Sequence, residues 1–167
     1  MPGNSHTTAS RNSGPATVHV NYALPRKGIP AAASFRRWVA ATLEGAGRSS
    51  PAELSIRIVD RAEGQELNRR YRHRNKATNV LSFPAELPDG IALPLLGDLV
   101  ICAPVVAREA ADQGKAPRNH WAHMTVHGTL HLLGLDHVLT EDADIMEALE
   151  TRILAGMGIA DPYKSSD

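Results

Sequence analysis

The sequence contains a single cysteine, Cys102, among 167 residues, so no intrachain disulfide can form. No apolar run approaches the ~18 residues that a membrane-spanning helix requires. The first fifteen residues carry no apolar core of the kind a secretory signal uses. Together these absences predict a reducing, cytoplasmic setting with no membrane attachment. An excess charge of one sign is also missing: 18 basic residues balance 18 acidic ones, for a formal net charge of zero. The whole molecule therefore exerts no general pull on nucleic acid or on acidic membrane, and any such attraction has to be local.

A local source is present. Arg69, Arg70, Arg72, Arg74 and Lys76 fall within eight residues, with His73 among them, while Glu141, Asp142, Asp144, Glu147 and Glu150 form an acidic stretch near the other end. Hydrophobic residues at 43% and charged residues at 22% are the balance of a soluble globular protein, and the length suits one domain with a real core. Residues 1–15, rich in Ser, Thr, Asn, Gly and Pro, are expected to be a disordered leader ahead of a single domain over residues 16–167.

Periodicity places the elements. Thr17–Tyr22 and Glu53–Val59 alternate as strands, Val80–Phe83 is a short strand stopped by Pro84, and Leu99–Cys102 is a short, wholly apolar one. Ser34 is positioned to cap a helix to about Leu43, with Phe35, Trp38, Val39 and Thr42 near one face. Asp60 caps the next, to about Tyr71. Residues 84–96 hold three prolines and a Pro-Asp-Gly turn, which makes them a loop or a hairpin connection. Helices follow over Pro104–Gln113, Pro117–Leu133 and Thr140–Leu154, with Gly114 and Gly134 ending the first two and Thr140 capping the third. The predicted fold class is α+β: a small mixed sheet of about four strands packed with about five helices, with a zinc site at the end of a central helix.

The segment His127-Gly-Thr-Leu-His131-Leu-Leu-Gly134-Leu-Asp136-His137 carries the chemistry. Residues four apart share one face of a helix, so His127 and His131 can bind one ion. Gly134 can adopt the left-handed conformation that turns the chain back, which brings His137 into reach as third ligand. Three imidazoles leave the fourth zinc position for water, as a catalytic site needs. Nickel, cobalt and iron suit the same donors. His123 is four residues before His127, but His131 then lies about 12 Å from it along the axis, and the pair has no evident third ligand. His120 and His123 are accordingly read as packing, ligand-supporting or surface residues. Asp136 is either an acceptor that orients a ligand imidazole or a turn aspartate bonded to its own backbone.

The histidine spacing is similar to the HExxHxxGxxH motif of metzincin proteases, with one difference. The protease motif has glutamate after the first histidine as general base, and here that residue is Gly128. The basic segment points elsewhere. Guanidinium groups bind phosphate oxygens bidentately, so Arg69, Arg70, Arg74 and Lys76 are candidate contacts to a phosphate-bearing substrate, with Tyr71 able to stack on an exposed base. A solvated helix end explains the same cations without any ligand.

Three blocks then carry a family resemblance: Leu67-Asn-Arg-Arg-Tyr-Arg72 with Thr78-Asn-Val-Leu-Ser-Phe-Pro84, Leu96-Gly-Asp-Leu-Val-Ile-Cys102, and His120 through His137. Met146-Glu-Ala-Leu-Glu150 and Asp161-Pro-Tyr163 extend it toward the C-terminus. Over roughly residues 17–163 the chain resembles the YbeY family of bacterial metal-dependent endoribonucleases. The resemblance implies one Zn2+ per chain on His127, His131 and His137, with Arg72 and His127 essential for catalysis. It implies cleavage of single-stranded RNA in maturing the 3′ end of small-subunit ribosomal RNA and in removing defective ribosomes. Implied partners are the ribosomal small subunit, one of its proteins, and a ribosome-assembly GTPase. The chain departs from the family pattern at Asn75, near which an aspartate is expected; Asn79 is compatible with it. The main alternative is a metal-stabilised ribosome-assembly factor with little catalysis of its own; a metzincin-like protease is the remote third.

Overall fold

The computed structural model describes residues 16–91, 93–135 and 140–164. Within them are four strands, β1 (Ala16–Tyr22), β2 (Ala52–Val59), β3 (Val80–Pro84) and β4 (Leu95–Cys102). The five helices are α1 (Ala32–Gly45), α2 (Arg61–Arg72), α3 (Ala103–Asp112), α4 (Pro117–Leu132) and α5 (Thr140–Gly156). The strands form one mixed sheet in the order β1-β2-β4-β3, with β1-β2 and β2-β4 parallel and β3-β4 antiparallel. This is the α+β arrangement the periodicity predicts, and β3 and β4 are the antiparallel arms of the hairpin expected around 84–96, with Pro84, Leu95 and Leu96 inside the strands.

Alternation along the strands sorts side chains to two faces. Leu54, Ile56 and Ile58 of β2 and Leu99 and Ile101 of β4 point into the main core, where α1, α4 and α5 cover them. Val100 and Cys102 point the other way, into a smaller cluster with Val59, Leu81 and Val105. Phe35 of α1 anchors the main core by meeting Trp38 and Trp121 edge-on, with ring centroids 5.5 and 5.7 Å away. Burial of each such side chain contributes about 1.5–3 kcal/mol.

Helix α4 is buried nearly all round, which is why its sequence has no clean apolar stripe. Its hydroxyls stay inside because they bond back one turn: Thr125 Oγ1 to the Trp121 carbonyl at 2.9 Å and Thr129 Oγ1 to Thr125 at 2.7 Å. At its C-terminal end Leu135 N–H donates to the Leu130 carbonyl and Gly134 N–H to His131, with Gly134 at φ 101°. That pair of bonds is the left-handed glycine stop expected there.

Two boundaries differ from expectation. The N-cap position of α1 is Ala31 rather than Ser34, because the chain turns helical at Ala32 and Ser34 N–H already donates to the Ala31 carbonyl. Strand β4 starts at Leu95, four residues before the predicted Leu99. A register shift opposite Glu53 and Leu54 pairs Leu54 with Gly97 and breaks the apolar pattern on which the shorter strand was based. Gly97 has φ 138°, and a Cβ there would meet the Phe83 carbonyl oxygen at 2.2 Å. The cap assigned to Thr140 rests on a side chain outside the described residues. Asp60 does cap α2, accepting from Glu63 N–H at 3.0 Å.

Candidate metal centre and its surroundings

Helix α4 carries His120, His123, His127 and His131 at steps of three and four, so the rings form a ladder along one side. At its open end the Nε2 atoms of His127 and His131 lie 3.2 Å apart. The other ring nitrogen of His127, Nδ1, is 2.5 Å from Oε2 of Glu150. Glu150 comes from α5 and is completely buried. Its second oxygen, Oε1, accepts from His123 Nε2 at 3.0 Å and from the Tyr163 hydroxyl. His120, at the closed end, is held by Oε1 of Glu109 at 2.8 Å, and Asn79 Nδ2 donates to the same carboxylate at 3.0 Å.

The electrostatics follow from this packing. Burial raises the Glu150 carboxyl pKa, but hydrogen bonds from His123 and His127 outweigh it and hold the group down at about 2. Glu150 is therefore an anion that accepts from the imidazole N–H groups. With Nδ1–H of His127 committed to it, the lone pair of His127 is on Nε2, facing His131. Burial pushes the Tyr163 phenol up, and the Glu150 carboxylate pushes it the same way, so Tyr163 stays a donor. Burial also lowers His120 by more than Glu109 raises it.

His123, His127 and Glu150 offer ligand atoms all within 4.8 Å of one another, a group that could hold a metal ion. The sequence reading found no third ligand for a His123–His127 pair, and Glu150 corrects it. The signal was in the last helix. Met146, Glu150, Ile153 and Leu154 sit at the spacing of one buried helix face, and a carboxylate on such a face has to be paired. Nothing comparable marked Tyr163. His137 and Asp136 belong to residues 136–139, outside those described.

Gly128 answers the comparison with proteases. A Cβ there would meet Leu99 Cδ2 at 2.9 Å and Val80 Cγ2 at 3.2 Å. The position after the first histidine faces the sheet at close approach, so a side chain there would start toward Leu99 and Val80 and would have to displace their ends.

The basic segment divides in two. Arg69 and Arg70 both bind Glu66, at 2.8 and 3.1 Å, and are exposed helix-surface pairs. No carboxylate pairs with Arg72, Arg74 or Lys76 among the described residues. Arg72 instead lies over the Phe83 ring, 5.0 Å from its centroid, and donates through Nη2 to the Ser82 carbonyl at 2.6 Å. Ser82 Oγ in turn donates to the Gly128 carbonyl at 3.3 Å, so one chain of hydrogen bonds joins Arg72 to the helix turn that carries His127. Tyr71 is half exposed and meets Phe83 edge-on with centroids 5.4 Å apart. Asn75, where an aspartate was expected, accepts from Gln65 Nε2 at 3.0 Å rather than contacting Arg72.

Known proteins match this chain along most of its length. The profile of the family described as Endoribonuclease YbeY matches residues 26–158. A protein named Endoribonuclease YbeY from Stenotrophomonas maltophilia is 63% identical over 150 residues, covering 87% of this chain and 92% of that protein. One of the same name from Alkalilimnicola ehrlichii is 58% identical over 161 residues, covering 94% and 97%. Among solved structures, a Thermotoga maritima protein determined in solution aligns with a TM-score of 0.52 at 19% identity, covering 89% of this chain and 99% of that one, and it supports the fold alone. With the family profile spanning the histidine helix and relatives alike over nearly their whole length, the chain belongs to the YbeY family of endoribonucleases.

Proposed function

We propose that the chain is a zinc-dependent endoribonuclease that cuts single-stranded RNA, with His127, His131 and His137 as ligands and Arg72 at the phosphate. One observation carries the reading: two imidazole nitrogens converge at 3.2 Å while the far side of one ring is fixed by a buried carboxylate. Ligand nitrogens at the usual zinc distance and a tetrahedral angle stand about 3.3 Å apart. The Nε2 pair fits that spacing. The 2.5 Å approach of His127 Nδ1 to Glu150 is too close for two ligands of one ion and suits a hydrogen bond. We therefore place the ion on the Nε2 side and give Glu150 the task of orienting His127, as carboxylates behind metal-bound histidines do.

A zinc ion bound there supplies Lewis-acid activation of water. The protein's own groups do the rest. Arg72, with no carboxylate partner among the described residues, offers its remaining N–H groups to the phosphate oxygens and stabilises the charge that builds on them. Arg74 and Lys76 extend the positive surface along the RNA backbone, and Tyr71 provides an exposed face for a base. Arg69 and Arg70, occupied by Glu66, contribute less.

The biological setting rests on family membership. We propose that the substrate is ribosomal RNA, trimmed at the 3′ end of the small-subunit species, in a cytoplasmic process that also removes defective ribosomes. The proposed partners are the small subunit with one of its proteins, and a ribosome-assembly GTPase. No helix among the described residues is long and apolar enough to cross a membrane. Incubation with end-labelled single-stranded and duplex RNA, with and without a chelator, tests the activity. The proposal requires cutting of the single strand only, abolished by chelation and restored by zinc. Intact RNA under all conditions favours the assembly-factor alternative.

A further inference from the structure

Beyond the ligands and Arg72, the geometry points to Tyr163 as a positioning residue for the metal centre. It braces Glu150, and through Glu150 the ring of His127, from the C-terminal tail. This rests on the placement of the ion at His127 and His131.

Glu150 holds His127 through one oxygen only. A carboxylate tethered at one oxygen can swing about its terminal torsion, which is broad for glutamate. Its other oxygen, Oε1, is what stops the swing, and two donors meet there: His123 Nε2 at 3.0 Å and the Tyr163 hydroxyl. The tyrosine oxygen, with its proton directed to Glu150, also receives His123 Nε2 at 3.2 Å. With Nε2 so engaged, His123 Nδ1 is one of the buried atoms that have no hydrogen-bond partner among the described residues. An unprotonated nitrogen is the cheaper of the two to leave alone in the interior. The three residues thus fix one another's donor and acceptor roles, and each role is consistent with Nε2 of His127 presenting its lone pair toward His131.

The tail is seated for this purpose. Asp161 Oδ1 accepts from Tyr163 N–H at 2.9 Å, and Lys115, at the turn before α4, donates from Nζ to the Pro162 carbonyl at 2.8 Å. The His123 and Tyr163 rings meet edge-on with centroids 5.3 Å apart. Yet the tyrosine is no core residue. It is 45% exposed and lines an open cavity of about 650 Å³ together with Lys115, Asn119 and His123. Its hydroxyl therefore acts on the interior from the surface, and its removal leaves the hydrophobic core untouched.

The deciding experiment is titration of metal-free full-length protein with Co2+, following the visible absorption of the bound ion, for wild type, Tyr163→Phe, Asp161→Ala and His131→Ala. Tyr163→Phe should bind Co2+ about tenfold more weakly and with an altered spectrum, with its metal-free unfolding midpoint lowered only modestly, because Glu150 keeps His123 and His127 as donors. Asp161→Ala, which unseats the tail without touching the hydroxyl, should weaken binding in the same direction and stands in if the first variant misfolds. Wild-type affinity and spectrum in the tail variants, with binding lost in His131→Ala, overturn the brace and leave the ligand assignment standing. Wild-type affinity in His131→Ala overturns both.

Discussion

Oε2 of Glu150 sits 2.5 Å from Nδ1 of His127, joining the last helix to the central one through a carboxylate with no exposure to solvent. The contact sets the tautomer of the histidine and the direction of its Nε2. It also stores stability in a charge. Glu150→Gln keeps the shape but replaces an anionic acceptor with an amide, and should weaken zinc binding about 10–100-fold by competition with a chromogenic chelator.

The same carboxylate predicts a pH dependence. Held at about 2 in the folded chain against an ordinary value of 4.5, Glu150 contributes stability that is fully present above about pH 4.5. That contribution falls away as the pH drops toward 2. Metal-free wild type should therefore lose more stability than metal-free Glu150→Gln between pH 5 and about pH 3, measured by urea unfolding at each pH. Parallel curves for the two proteins would contradict the assignment.

Arg72 and its neighbours should separate cleanly. Arg72→Ala is expected to preserve folding and metal content and to cut RNA cleavage on the order of a hundredfold, the scale of losing one donor to transition-state charge. Arg72→Lys should recover little, because an ammonium lacks the planar fork. Replacing Arg69 and Arg70 together should cost no more than a few-fold, since both are committed to Glu66 on the surface. Equal losses at all three positions would mean that the segment acts only as diffuse charge.

Restoring the protease-like acid should fail. Gly128→Glu forces a side chain against Leu99 and Val80 and should destabilise the fold by about 1–3 kcal/mol from overpacking alone. No peptidase activity should appear on a casein substrate, because the new carboxylate starts toward the sheet. Gain of casein cleavage would show that this face is accessible to the metal side.

How legible the molecule was depended on whether a feature had a local signature. The four strands and five helices followed from period and punctuation, and Asp60 and Gly134 behave as their residue types dictate. Boundaries failed where the determinant was distant. The start of β4 depends on a register shift against β2, which no pattern within 84–102 records. In the site, His127 and His131 were readable because four residues make one helical turn. Glu150 was readable only in retrospect, as a charge on a buried stripe, since its partners come from a different helix. The pairing of Arg69 and Arg70 with Glu66 was available from spacing, but positive charge alone obscured it. Tyr163 lay in a block that resembles the family, but nothing local announced its task, because that arises from where the tail folds back.

The central claim is that metal centre and nuclease are one site, and the most direct measurement is RNA cleavage by wild type and His131→Ala with zinc quantified in both preparations. The account predicts about one zinc per wild-type chain and cleavage of single-stranded RNA, with both lost in the variant while its fold is retained. A variant that lacks zinc yet cleaves as well as wild type would contradict it.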